Sequence, residues 1–185
     1  MPLIKRATDL LAFSPEELED KLITYDLTRI LKGKGALLQL IVKKTKDSEE
    51  LTSVPRQLKL LPYFLKRMVR KGSNYVEDSF STECKDAQLK LKPFLITRRK
   101  VPRSVRKALR NLCKEELTKY VKDKTTEDVF DNILKGMLQK ELSIKLKKIY
   151  PLSLCEIRRI KFENKLAEKK EEPSKEEVKE DKPKE

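Results

Sequence analysis

The stretch 89-LKLKPFLITRRKVPRSVRKALRN-111 decides how this chain is read. Its first half alternates like a strand, with Leu89, Leu91 and Leu95 on the core side. It then turns a basic corner and passes into a basic helix. From Arg98 to Arg110 there are seven Lys/Arg in thirteen residues, namely Arg98, Arg99, Lys100, Arg103, Arg106, Lys107 and Arg110, with no acid among them. Such a run repels itself unless something anionic faces it. At ~100° per residue, Arg103, Arg106, Lys107, Arg110 and Lys114 share one arc while Val105, Ala108, Leu109 and Leu112 lie opposite. One face is expected to pack and the other to present charge, which separates this helix from an ordinary solvated, Lys-rich one.

Composition narrows the function. The 185 residues allow one domain with a core plus appendages, and with 38% apolar and 40% charged residues that core is modest. The net charge is +14, and residues 163–185 are slightly acidic, so the body is more basic than the whole. A polyanionic partner follows, with nucleic acid first, anionic membrane second and acidic protein third. Membrane attachment suffers because the helix from Arg103 sets only Val, Ala and Leu against its charge, without Trp or Phe. No apolar run is long enough to span a bilayer and no leader pattern opens the chain, so a cytoplasmic location is expected.

There is no histidine, which removes the usual neutral-pH base and every Ser/His or Cys/His nucleophile. Cys84, Cys113 and Cys155 are odd in number, far apart and without a C-x-x-C pair, so they read as buried apolar residues rather than disulfides or zinc ligands. Asp26, Glu77, Asp78 and Glu83 have no Gly-rich phosphate loop or metal spacing beside them. The chain therefore reads as a non-enzyme with no cofactor, no metal and no catalytic residue.

Outward from the central stretch, residues 1–13 form an N-terminal arm. Ser14-Pro15-Glu16-Glu17 opens a short helix ending near Lys21. Strands are predicted at Leu22–Leu27 and Ala36–Lys43 around Gly33 and Gly35, and, beyond a polar turn at 45–50, at Leu51–Leu60, where Pro55 kinks the strand or confines it to an edge. Pro62 starts a helix stopping at Gly72, with Phe64, Leu65, Met68 and Val69 on its apolar face and Arg67, Arg70 and Lys71 near its end. Asn74–Thr82 and Gln88–Arg98 pair around a turn at 83–87, with Pro93 marking an edge or bulge. The basic helix runs to about Val121. Thr125 or Thr126 caps the next, Gly136 divides it from Leu138–Ile149, and Pro151 stops the last. Leu152–Phe162 returns as a strand whose alternation slips at Arg158-Arg159 like a bulge. Residues 163–185 read as a disordered Lys/Glu-rich tail. Between arm and tail, residues 14–162 make a single RNA-binding domain.

Four segments carry a resemblance: Thr24-Tyr25-Asp26-Leu27; Met68-Val69-Arg70-Lys71-Gly72-Ser73; Phe94 to Lys100; and Lys147 to Leu152 with Cys155 to Lys161. In this order and spacing the chain resembles the archaeal and eukaryotic small-subunit ribosomal protein family S one e, or S three A e, over roughly Leu22 to Phe162. The resemblance implies an α+β fold, with an antiparallel sheet or open β-barrel core flanked by about four helices. It implies a structural role on the subunit's platform, bound to small-subunit rRNA and neighbouring ribosomal proteins, with messenger RNA near the exit as a further candidate partner. It implies no reaction and no cofactor. The chain departs from the family in the short segment before Ser14 and in the prolines at 55 and 62.

The basic corner and helix are the main RNA-binding candidates, with Arg70, Lys71, Arg158 and Arg159 secondary. No homo-oligomer is expected. A free RNA-binding accessory factor that visits RNA or ribosomes transiently is the competing reading.

Overall fold

The computed structural model describes residues 15–31, 33–44 and 51–165. The expected arm, the Ser14 cap, the turn at 45–50 and the tail from residue 166 lie outside the described residues. The chain runs through a 3-10 turn at Pro15–Leu18, then β1 (Leu22–Asp26), β2 (Ala36–Lys44), β3 (Leu51–Leu60), α1 (Pro62–Met68), β4 (Tyr75–Glu77), β5 (Phe80–Glu83), β6 (Ala87–Thr97), α2 (Arg103–Lys122), α3 (Thr126–Lys135), α4 (Met137–Leu146) and β7 (Leu152–Lys165). The strands form one seven-stranded open antiparallel sheet, ordered β1-β2-β3-β7-β6-β4, with β5 also on β6. This is the expected α+β class.

Each strand proline sits where the ladder does not need its missing N–H. Pro93 lies in β6, between the stretch paired with β5, which ends at Phe80↔Leu91, and the stretch paired with β4, which starts at Glu77↔Phe94. On its other side the register jumps from Lys92↔Arg159 to Pro93↔Ile157, leaving Arg158 as the extra residue of a bulge. The slip read from the sequence is therefore real. In β3 the register moves from Gln39↔Gln57 to Leu40↔Pro55, with Arg56 extra, and β7 pairs only with Gln57 to Lys59. The first half of β3 is thus an edge on that side, and Pro55 occupies it.

One core joins the sheet to the helices. Leu89, Leu91, Leu95, Ile157 and Ile160 are buried from β6 and β7. α2 lies against β4 and β5, α4 against β7 and α2, and α3 against α4 and β3. Thr125 caps α3 by accepting the Asp128 N–H (3.4 Å), and Gly136, at φ 74°, ends it in the left-handed region that a glycine enters without steric cost. Glu156, buried in β7, takes the Lys34 ammonium and the Gln139 side-chain amide. This ties the glycine turn to α4.

Several boundaries differ from expectation. The N-terminal helix is only a 3-10 turn, after which Asp20 turns the chain at φ 58°. α1 ends at Met68 because Val69 is already extended (ψ 113°), and Gly72 serves a separate turn. The strand expected over 74–82 breaks at Asp78-Ser79 opposite Pro93. α4 stops at Leu146, while β7 continues to Lys165.

The inward face of α2 is also rotated from the expected one. It is the four-residue ladder Leu109, Cys113, Leu117 and Val121, with Ala108 exposed and Arg106 half-buried. All three cysteines are buried free thiols, as expected. Burial, reinforced by the nearby Asp78, pushes the Cys113 thiol up to about 12, and burial pushes Cys155 up as well.

Candidate nucleic-acid interface

The basic corner is held by one residue pair. At the end of β6, the Thr97 N–H donates to the Asn74 carbonyl (2.9 Å), and the Thr97 hydroxyl accepts the Asn74 N–H (3.1 Å). That hydroxyl shares its own proton between the carbonyls of Asn74 (3.0 Å) and Arg99 (2.8 Å). The Asn74 side-chain oxygen then accepts the Val101 N–H (2.9 Å). The Arg99 carbonyl and the Val101 N–H are thereby clamped, which holds residues 98 to 101 in a turn, and Arg98, Arg99 and Lys100 are all exposed.

Three connections meet at this end of the sheet. The turn carrying Arg70 and Lys71 is closed by the Ser73 hydroxyl donating to the Arg70 carbonyl (2.7 Å), and it runs directly into Asn74. β7 begins at Leu152, in register with Thr97, so the chain that leaves α4 enters the sheet at this end, with the exposed Lys147 and Lys148 lying earlier, where α4 stops. α2 leaves from the corner itself. Its first turn holds no acid, and its N-cap, Pro102, supplies no side-chain hydrogen bond. Free N–H groups and the positive end of the helix dipole therefore add to the side-chain charge.

Among the described residues, none of the seven corner and helix cations takes part in an ion pair, whereas Lys34, Lys90, Lys145 and Arg158 each have a carboxylate partner. Arg98, Arg99, Lys100, Arg103, Lys107 and Arg110 are exposed, as are Arg70 and Lys71. Arg106 differs, since its Nε is buried without a hydrogen-bond partner.

Arg158 and Arg159 of β7 each have a side-chain partner within the sheet. Arg158 donates to Glu77 (2.9 Å), and Arg159 sends Nε and Nη2 to the Gln57 side-chain oxygen (3.1 and 2.6 Å). Arg159 in this way staples the short β3–β7 seam. The clamp residue Asn74 was not picked out from the sequence, because its approach to Thr97 depends on the pairing of β4 with β6.

Fold and site together define a class: an α+β domain with positive charge, free of ion pairs among the described residues, gathered at one end of an antiparallel sheet. Residues 7–165 match the model of the Ribosomal S3Ae family, and the chain belongs to that family, as its four motifs implied. It is 28% identical over 158 residues to the small ribosomal subunit protein eS1 of Halorubrum lacusprofundi, covering 84% of this chain and 74% of the relative. With eS1 of Nanoarchaeum equitans it shares 27% identity over 159 residues, covering 82% and 78%. With eS1 of Methanothermobacter thermautotrophicus it shares 34% over 95 residues, covering 51% and 49%.

Proposed function

We propose that the chain is a structural constituent of the small ribosomal subunit in the cytoplasm, and that it grips the subunit's rRNA by the cationic end of its sheet. The observation that carries this reading is the meeting of the Arg70–Lys71 turn, the Arg98–Lys100 corner and the start of α2 around the Asn74–Thr97 clamp, with none of these cations in an ion pair among the described residues. Membership of the S3Ae family supports the setting, as do relatives named for the small subunit.

The chemistry is electrostatic. Clustered cations displace counterions from phosphates, and Arg forks at the rigid corner add two-pronged contacts to phosphate oxygens. Neighbouring small-subunit proteins complete the environment. The role needs no reaction.

The test is a variant with Arg98, Arg99, Lys100, Arg103, Lys107 and Arg110 changed to Gln, leaving the half-buried Arg106 in place. RNA affinity measured across a salt series should fall, and the slope of log K against log salt should shrink by about 0.7–0.9 for each phosphate left unneutralised. Unchanged binding by a folded variant sinks the assignment. Sucrose gradients of salt-washed subunits separate constituent from visitor: stoichiometric retention supports the constituent, and loss at moderate salt means a transient accessory factor.

A further inference from the structure

We propose that the groove between α1 and the β4–β6 edge receives one unpaired nucleobase of the RNA, with Tyr75 as its stacking platform. This inference rests on the proposed function, because the RNA it addresses is the one whose backbone the cationic end would hold.

The groove has a volume of about 390 Å³, an apolar floor of Leu65, Val69, Tyr75 and Phe94, and a rim of Lys66, Glu77 and Arg158. Tyr75 is 55% exposed, yet its ring lies on Phe94, with centroids 6.0 Å apart and planes 27° from parallel. One aromatic face is thus backed by a buried ring while much of the side chain stays open. That is what a base-stacking surface needs, since the platform is held in place before the base arrives.

Position links the groove to the phosphate-gripping end. Tyr75 directly follows Asn74, the clamp residue, and is in register with Ile96, two residues before Arg98. At ~3.3 Å per strand residue, the Tyr75 backbone and the start of the corner are about 7 Å apart along the sheet. A nucleotide whose phosphate meets Arg98 or Arg70 can turn its base toward Tyr75.

Charge favours the same occupant. The one acid of the rim, Glu77, is paired with Arg158 at 2.9 Å, while Lys66 is exposed and takes part in no ion pair among the described residues. The bulge at Arg158 is what lets it reach this partner. A protein segment fits less well, because β4 is only three residues long and offers almost no ladder for an added strand.

The test compares two RNA hairpins that differ only in one unpaired adenine, replaced by 2-aminopurine for fluorescence. The wild-type chain should prefer the bulged hairpin by about five- to a hundredfold and quench the 2-aminopurine. Tyr75→Phe should keep both effects. Tyr75→Leu, which preserves apolar cover over Phe94, should lose them while affinity for the paired hairpin and its salt slope stay unchanged. Val69→Glu, in the apolar floor just after α1, gives a second variant that leaves the Tyr75–Phe94 pair alone, and it should weaken the bulged hairpin selectively.

Equal wild-type binding of the two hairpins, or a preference that survives Tyr75→Leu, overturns the inference and leaves the groove to another occupant such as a protein segment. The proposed function still stands in that case if salt-dependent binding of the paired hairpin is intact. If neither hairpin is bound, both fall.

Discussion

Arg103 opens α2 with a positive charge at the positive end of the helix dipole, without an acid or a side-chain cap nearby. In the free protein this is an unfavourable placement, worth about 0.3–1 kcal/mol for an exposed first-turn charge. Arg103→Gln removes the repulsion and keeps a long polar side chain of fair helix propensity. Stability should therefore rise by about that amount. At roughly 2–4 °C per kcal/mol for a chain of this size, Tm should increase by about 1–4 °C in low salt, and the gain should fade as salt screens the dipole. RNA binding should move the opposite way. One phosphate goes unneutralised, so the salt slope drops by about 0.7–0.9, with a similar weakening on every RNA sequence tried. Scanning calorimetry and filter binding on the same preparation measure both. A Tm that falls, or RNA affinity and slope that do not change, refutes the reasoning that this charge is tolerated because an anionic partner neutralises it.

Arg159→Met should behave in the reverse sense: losing two charged hydrogen bonds to the buried Gln57 destabilises by about 1.5–3 kcal/mol, while RNA affinity of the folded protein stays unchanged. Calorimetry and filter binding again decide, and a loss of RNA affinity without a drop in Tm would return Arg159 to the RNA-contacting set. The buried thiols give a pH signature. Cys113 keeps its proton when folded to about pH 12 against an ordinary value of 9.0, so above pH 9 the unfolded chain binds fewer protons and stability falls with rising pH, by about 1.4 kcal/mol per unit for this group. The urea midpoint of Cys113→Ala, measured relative to wild type from pH 8 to 11, should improve steadily above pH 9; a flat difference contradicts the burial argument.

What the sequence disclosed was local chemistry. Pro55, Pro93 and the Arg158-Arg159 slip announced interruptions in the ladder, and the structure places a bulge at each proline. The basic corner was legible because charge density is a property of consecutive residues. The phase of α2 was misread because weight was given to Val105, Ala108 and Leu112 at its start. The face is set by Leu109 together with Cys113, Leu117 and Val121 further along, and this turned Arg106 half inward. Partners across the sheet could not be read at all. Asn74 and Tyr75 reach the corner only through strands paired at long sequence separation, and Gln57, the partner of Arg159, lies 102 residues away in the chain.

The position of β7 has a further consequence for how the molecule comes into being. Among the described residues, the last strand in sequence is the middle strand in space, inserted between β3 and β6. Until residues 152 to 165 have been synthesised, β1–β2–β3 and β4–β5–β6 with the helices are two half-sheets, each showing an unpaired inner edge and part of an unclosed core. Such edges are the surfaces through which chains associate wrongly, and pairings that close over so long a sequence span form slowly. A newborn copy therefore passes through an interval in which its cationic corner lacks the Leu152 end of its support and its core lies open. Prompt capture by a chaperone or by its assembly partner would shorten that exposure.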